Sequence, residues 1–109
     1  MANKYFDFGK VKRSFYTTKL RDGTTLVVEM PKKKTFEKMQ EVSETDKDDS
    51  NIDAYNKLLE LMAEILSNNR NKKKITAEYL EEEGYTIEDI VTYIDNYTEF
   101  VNTITKNPN

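Results

Sequence analysis

Chemistry is first invited by the acidic run Asp46-Lys47-Asp48-Asp49-Ser50, because carboxylates at alternate positions open a calcium loop of the EF-hand type. The spacing then fails. Counting from Asp46, the sixth position of such a loop is Gly and here is Asn51. The twelfth is a bidentate Glu and here is Lys57, an ammonium where the ion would sit. Residues 43–51 contain no apolar side chain and are expected to form a solvated loop. Glu81-Glu82-Glu83 offers three carboxylates, but neighbouring helical residues fan out around the axis and do not converge on one substrate atom. Nothing nearby supplies a nucleophile or oxyanion donors. The chain has no Cys, no His and no Trp, which excludes disulfides, thiolate or imidazole zinc sites and imidazole-assisted nucleophiles. Glycine occurs only at positions 9, 23 and 84, too sparsely for a phosphate-cradling loop. The expectation is a non-enzymatic protein with no catalytic residue, no metal and no cofactor.

Two basic runs could contact phosphates: Lys32, Lys33 and Lys34, then Arg70, Lys72, Lys73 and Lys74. Runs of this size support weak, salt-sensitive binding. The formal net charge of −3, with no helix-turn-helix or aromatic stacking signature, weighs against a nucleic-acid partner. A small nucleic-acid-associated regulator using these two basic loops is therefore the alternative reading. The charge is also uneven along the chain. Residues 1–34 carry nine cations and three anions, a net +6, whereas residues 35–109 carry eight cations and 17 anions, a net −9. Such a chain can attract copies of itself, so self-association is expected.

These side chains must be positioned by a single α+β domain, the default for 109 residues with 37% apolar and 34% charged side chains and 12 Tyr and Phe. Residues 1–13 show no sustained periodicity and read as a mobile arm, with Tyr5, Phe6 and Phe8 available to dock elsewhere. Residues 14–30 read as a β-hairpin around Arg21-Asp22-Gly23, Gly23 supplying the left-handed position of a three-residue loop. That loop pairs Tyr16 with Val28 and Thr18 with Leu26, and gathers Tyr16, Leu20, Leu26, Val28 and Met30 on one face. A two-residue turn would slip the register to a less apolar face. Pro31 ends the second strand. Helices are expected at about 35–42 (Thr35 as N-cap, with Phe36, Met39 and Gln40 or Val42 inward), 52–69, 76–83 and 87–105, before a polar tail at 107–109. Ser50 or Asn51 caps the second helix and Thr76 the third, which Gly84 stops. Thr86-Ile87-Glu88-Asp89 reads as a capping box with Asp in the acidic position. No apolar run approaches the ~20 residues of a membrane span. The first ten residues lack the apolar core of a signal peptide, so a cytoplasmic location is expected.

The most informative surplus is apolar. Beside its main stripe (Ile87, Ile90, Val91, Ile94, Val101), the last helix carries a second one, Tyr93, Tyr97, Phe100 and Ile104, and Leu61 lies off the main stripe of the second helix. Two arrangements fit. Either the helix is flanked on two sides within the domain, or Leu61, Tyr93, Tyr97, Phe100 and Ile104 form a surface that binds another helix.

The order of parts also resembles a known family. A basic hairpin ending Thr24-Thr25-Leu26-Val27-Val28-Glu29-Met30-Pro31 is followed by a short helix. Then come Leu58-Leu59-Glu60-Leu61-Met62-Ala63-Glu64-Ile65-Leu66-Ser67-Asn68-Asn69, a Lys-rich link and Ile75-Thr76-Ala77-Glu78-Tyr79-Leu80. A closing helix runs from Thr86-Ile87-Glu88-Asp89-Ile90-Val91 through Tyr97-Thr98-Glu99-Phe100-Val101. This is similar to the small tail assembly chaperones of long-tailed bacteriophages, particularly those of low-GC Gram-positive hosts, over about residues 15–105. The resemblance implies a protein that coats the helical tape measure protein, keeps it soluble and helps gather tail tube subunits in the host cytoplasm, leaving before the tail matures. It also implies that this chain is the shorter of two products, the longer arising by frameshift. The acidic insert at 43–51 and the aromatic arm have no counterpart in that pattern.

Overall fold

The computed structural model describes residues 4–44 and 52–106. An antiparallel hairpin is followed by four helices among the described residues, an α+β arrangement with a single apolar core. Strands β1 (Phe15–Lys19) and β2 (Thr25–Glu29) pair Tyr16 with Val28 and Thr18 with Leu26. The register is the one expected from a three-residue loop. Leu20 N–H donates to Thr24 O at 2.8 Å, Gly23 N–H donates to Leu20 O at 3.0 Å, and Gly23 has φ +93°. Asp22 Oδ1 accepts from Thr24 N–H at 2.8 Å and stiffens the turn. Because strand side chains alternate, the even-numbered residues face the helices: Leu20, Leu26 and Val28 are buried, Tyr16 and Met30 half-buried.

Helix α1 (Lys33–Glu44) starts two residues earlier than expected, and Thr35 is not its cap. Phe36 N–H already bonds Lys32 O at 2.9 Å, and Thr35 is buried in the first turn beside Met39. Val42 is half-buried and Gln40 exposed. Lys33 and Lys34 consequently stand in a helical turn, at the end where the backbone dipole disfavours cations, and not in a loop. The expected acidic loop, apart from the end of α1, lies outside the described residues, as do Ser50 and Asn51.

Helix α2 (Ile52–Ser67) is the hub, packing against α1, α3, α4 and β2. A helix surrounded on so many sides buries a wider arc than one stripe. That is why Leu61 is buried with Leu59, Met62, Ala63, Ile65 and Leu66, and is not an outlying surface residue. The helix ends at Ser67, two residues short of expectation, because the chain leaves it to run beside β2. Glu29 N–H donates to Asn68 O at 2.9 Å, Arg70 N–H to Val27 O at 3.0 Å, and Val27 N–H to Asn71 Oδ1 at 2.9 Å. Strand β2 is therefore covered on both edges, by β1 and by residues 68–71.

The turn that follows is built around Asn69, 7% exposed. Its Nδ2 donates to Leu66 O at 2.7 Å and to Lys73 O at 2.8 Å, and its Oδ1 accepts from Lys73 N–H at 3.0 Å. To close this turn Lys72 adopts φ 59°, the only non-glycine with positive φ among the described residues. A left-handed L-residue costs about 1–2 kcal/mol, partly offset in a glycine variant by the greater freedom of its unfolded chain. Lys72→Gly is expected to raise the urea midpoint by the equivalent of about 0.5–1 kcal/mol. An unchanged or lower midpoint would show that the lysine stem makes a compensating contact.

Helix α3 (Ala77–Glu82) is capped by Thr76, whose Oγ1 accepts from Tyr79 N–H at 3.0 Å, and stops before Gly84 at φ 82°. Helix α4 (Ile87–Lys106) opens with a reciprocal capping box. Asp89 N–H donates to Thr86 Oγ1 at 3.2 Å and Thr86 N–H to Asp89 Oδ2 at 2.9 Å. Both caps fall where the sequence places them. No helix of the described residues is long and apolar enough to cross a membrane.

Candidate protein-binding surface

The second stripe of α4 meets the hairpin. Tyr16 projects from β1 into an aromatic cluster, its ring centroid 5.0 Å from Phe100, 5.8 Å from Tyr97 and 5.9 Å from Tyr93. Tyr93 and Tyr97, one helical turn apart, stack at 6.3 Å. Tyr97 is fully buried and its hydroxyl donates to Glu29 O at 2.7 Å; the Tyr93 hydroxyl and Thr18 Oγ1 share a 2.8 Å bond. The hairpin is thus fastened across α4 by rings and by two phenol groups. This is the arrangement in which α4 is flanked on two sides. Of the five residues singled out from the sequence, Leu61 and Tyr97 belong to the core. Tyr93 and Phe100 are half-buried in the aromatic cluster, and Ile104 is half-buried one turn further on. What remains as surface is a narrow apolar flank, Tyr93–Phe100–Ile104. Spacing along one helix could not reveal the coverage, which depends on where a hairpin about 75 residues earlier comes to rest.

The phenols carry a pH signature. Burial pushes Tyr97 and Tyr93 well above the ordinary tyrosine range. The Thr18 hydrogen bond partly offsets the effect on Tyr93, and Tyr93 adds to the effect on Tyr97. Tyr79 is raised to about 12 because its hydroxyl donates to the Asp22 carboxylate. That same bond, with the Thr24 N–H, holds Asp22 below the usual carboxylate range, and the Thr86 N–H does so for Asp89. A phenol whose folded pKa is raised contributes stability that is complete below its unfolded pKa near 10 and is lost as pH climbs towards the folded value. Thermal unfolding midpoints should therefore hold up to about pH 10 and fall steeply above it. Absorbance at the tyrosinate band should show a late-titrating subset of the seven tyrosines that disappears in urea. Seven phenols titrating together in the folded protein would contradict this.

The basic runs are not brought together. The antiparallel bridge between Val28 and Asn69 sends residues 70–74 towards the hairpin turn, whereas Lys32, Lys33 and Lys34 leave β2 at its opposite end. The Arg70 guanidinium lies over the Phe15 ring at 4.9 Å, and Lys73 acts electrostatically on Asp22 at the turn. Lys72, Lys73 and Lys74 are exposed on the tight turn around Asn69. A continuous basic face, which tracking a phosphate backbone requires, is not formed by these seven residues.

Sequence reasoning missed a depression of about 430 Å³ between β1, the hairpin turn and α4. Tyr16, Thr18, Leu20, Tyr85 and Tyr93 line it, and Glu88 and Asp89 stand at its rim with Lys19 and Arg21. The Tyr85 hydroxyl accepts from Arg21 N–H at 2.9 Å, and Arg21 lies 3.9 Å from Asp89. Its aromatic walls and mixed-charge rim suit a flat apolar side chain better than an ion. Among the described residues no group of acidic side chains is arranged to hold a metal. Comparison with protein-family models, with curated proteins and with solved structures found no match to this chain.

Proposed function

We propose that this chain is a non-enzymatic assembly chaperone of the kind that serves long phage tails. In this reading it binds and solubilises the helical tape measure protein and helps recruit tail tube subunits in the bacterial cytoplasm. The observation that carries the reading is the apolar flank of α4, where Phe100 and Ile104 stay half-covered after the hairpin has packed. A strip of this width accepts one face of an amphipathic helix, whose anchors recur every three or four residues. The element order, with its basic hairpin and closing amphipathic helix, agrees with the family resemblance. The opposed charges of the two parts of the chain suit copies lined up along a client.

The test is co-expression with the long helical tape measure protein of the same genome. The soluble fraction of that client should rise, and the two should co-purify. Ile104→Glu should abolish both effects while circular dichroism and the thermal midpoint stay near wild type, since Ile104 lies beyond the aromatic cluster. A client that stays insoluble beside the wild-type chain would defeat the reading.

A further inference from the structure

We infer that the N-terminal arm of a second copy of this chain adds to the open edge of β1, the two copies exchanging arms reciprocally. The inference does not depend on the chaperone reading. It begins with the edge. In the observed register Phe15, Thr17 and Lys19 turn their backbone N–H and C=O groups away from β2, and among the described residues none of these groups bonds elsewhere in the chain. Strand β2 has both edges covered; β1 has one. An uncovered edge is a template for another strand.

The arm supplies that strand. Tyr5, Phe6 and Phe8 are 81%, 70% and 73% exposed; Phe6 and Phe8 meet edge to face at 4.7 Å, but all three rings leave most of their apolar area uncovered in their own chain. The arm's one element among the described residues is a single 3-10 turn, Phe8–Lys10, with no buried residue. Its three bonds, Gly9 N–H to Asp7 Oδ1 at 2.9 Å, Lys10 N–H to Asp7 O at 3.0 Å and Val11 N–H to Phe8 O at 3.3 Å, must open for the arm to pair. From Val11 (φ −69°, ψ 131°) the backbone enters β1 with no turn. The arm therefore runs on beyond the start of β1 and does not fold back along it. The molecule measures 63 × 31 × 18 Å with a radius of gyration of 16.1 Å, against about 13 Å for a compact chain of this length. The arm is net +3 and residues 14–34, which contain the receiving strand, are also net +3, so charge acts here only through the residues that stand opposite one another.

Alternation and charge select the register. The groove side of β1 is its even-numbered side, so Phe8 reaches the groove only where even residues face even residues. With Ser14 opposite Ser14 of the second copy, Phe8 falls beside Leu20 at the tyrosine-lined depression, Lys10 beside Thr18, and Asp7 beside Arg21. Gly9, Val11 and Arg13 then present N–H and C=O groups to Lys19, Thr17 and Phe15, the residues whose backbone is open. No two like charges stand directly opposite. Shifting the pairing one way stacks Arg13 on Arg13, which is unfavourable, and shifting it the other way puts Lys10 in place of Phe8 against Leu20.

The experiment is light scattering and sedimentation of the full chain at about 100 μM, with three variants. Wild type should be a dimer. Phe8→Glu should weaken it by roughly tenfold or more, and Thr17→Pro likewise, because that N–H serves only the outer edge and the hairpin's own ladder does not need it. Circular dichroism should stay unchanged in both. Ser14→Cys, the sole thiol in the chain, should oxidise to a disulfide dimer, since facing residues of a non-hydrogen-bonded pair have Cα atoms about 4.5 Å apart. Thr25→Cys, on the other strand, should not cross-link. A monomeric wild type, an arm protected from exchange within a monomer, or a dimer indifferent to Phe8→Glu and Thr17→Pro would each overturn the inference.

Discussion

Asn69→Asp is expected to destabilise the fold by about 3–5 kcal/mol, a large share of the roughly 5–15 kcal/mol that holds a domain of this size together. The two side chains are nearly isosteric, so packing is not the cause. The Asn69 amide nitrogen donates to Leu66 O and Lys73 O while its oxygen accepts from Lys73 N–H, the side chain itself being buried beneath an exposed turn. An aspartate keeps the acceptor and loses both donors, leaving a carboxylate oxygen facing two carbonyl oxygens with little water to screen them. The sign with pH follows. Such a carboxyl has its folded pKa raised above the unfolded value near 4, so the penalty is full well above the folded pKa and shrinks as acid restores a donor. Urea melts at pH 7 and pH 4 should show a smaller difference between variant and wild type at the lower pH. Asn69→Ala, which abandons all three bonds without adding charge, should lose about 2–3 kcal/mol with little dependence on pH. A tolerated Asp would mean that the turn reorganises around Lys72 and contributes little to the fold.

The second large effect is expected at Tyr97. Tyr97→Ala removes a fully buried ring that stacks on Tyr93 and touches Tyr16 and Phe100, and should cost about 3–5 kcal/mol. Tyr97→Phe keeps the ring but leaves Glu29 O without its 2.7 Å donor, at a cost of about 1–1.5 kcal/mol. The near-ultraviolet dichroism of the aromatic cluster should collapse with Ala and persist with Phe. Because the ring faces inward, Tyr97→Phe should leave client solubilisation unchanged, whereas Ile104→Glu should not. A Tyr97→Ala protein with wild-type stability would return this residue to the surface and reopen the wider interface read from the helical pattern.

These two residues also show where the sequence was legible. Elements governed by local chemistry could be read directly. Gly23 in a three-residue loop dictated the hairpin register, Thr76 and the Thr86–Asp89 pair announced two helix starts, and Gly84 announced a stop. Each depends on a few neighbouring backbone groups and their dihedral preferences. Asn69 was legible only as the expected last residue of the second helix. Its role as the hub of a turn requires β2 to lie alongside, which also shortens α2 to Ser67. Thr35 misled because a hydroxyl next to a helical pattern reads as a cap, whereas here it is packed inside the first turn.

For the candidate surface the division is sharper. An inventory without Cys or His excluded whole classes of chemistry, and neither folding nor packing can restore a side chain that is not there. The two apolar stripes of α4 and the excess of positive charge in the first 34 residues were equally visible. Which stripe is covered was not, because burial belongs to pairs of elements distant in sequence. Tyr16 settles it by lying across Tyr93, Tyr97 and Phe100, and the path of residues 68–71 settles which hairpin edge stays open. The residues capable of chemistry were thus determined by the sequence alone. Which of them remain available to a partner was decided by tertiary packing, since hydrophobic burial depends on total area removed from water and not on any one element's pattern.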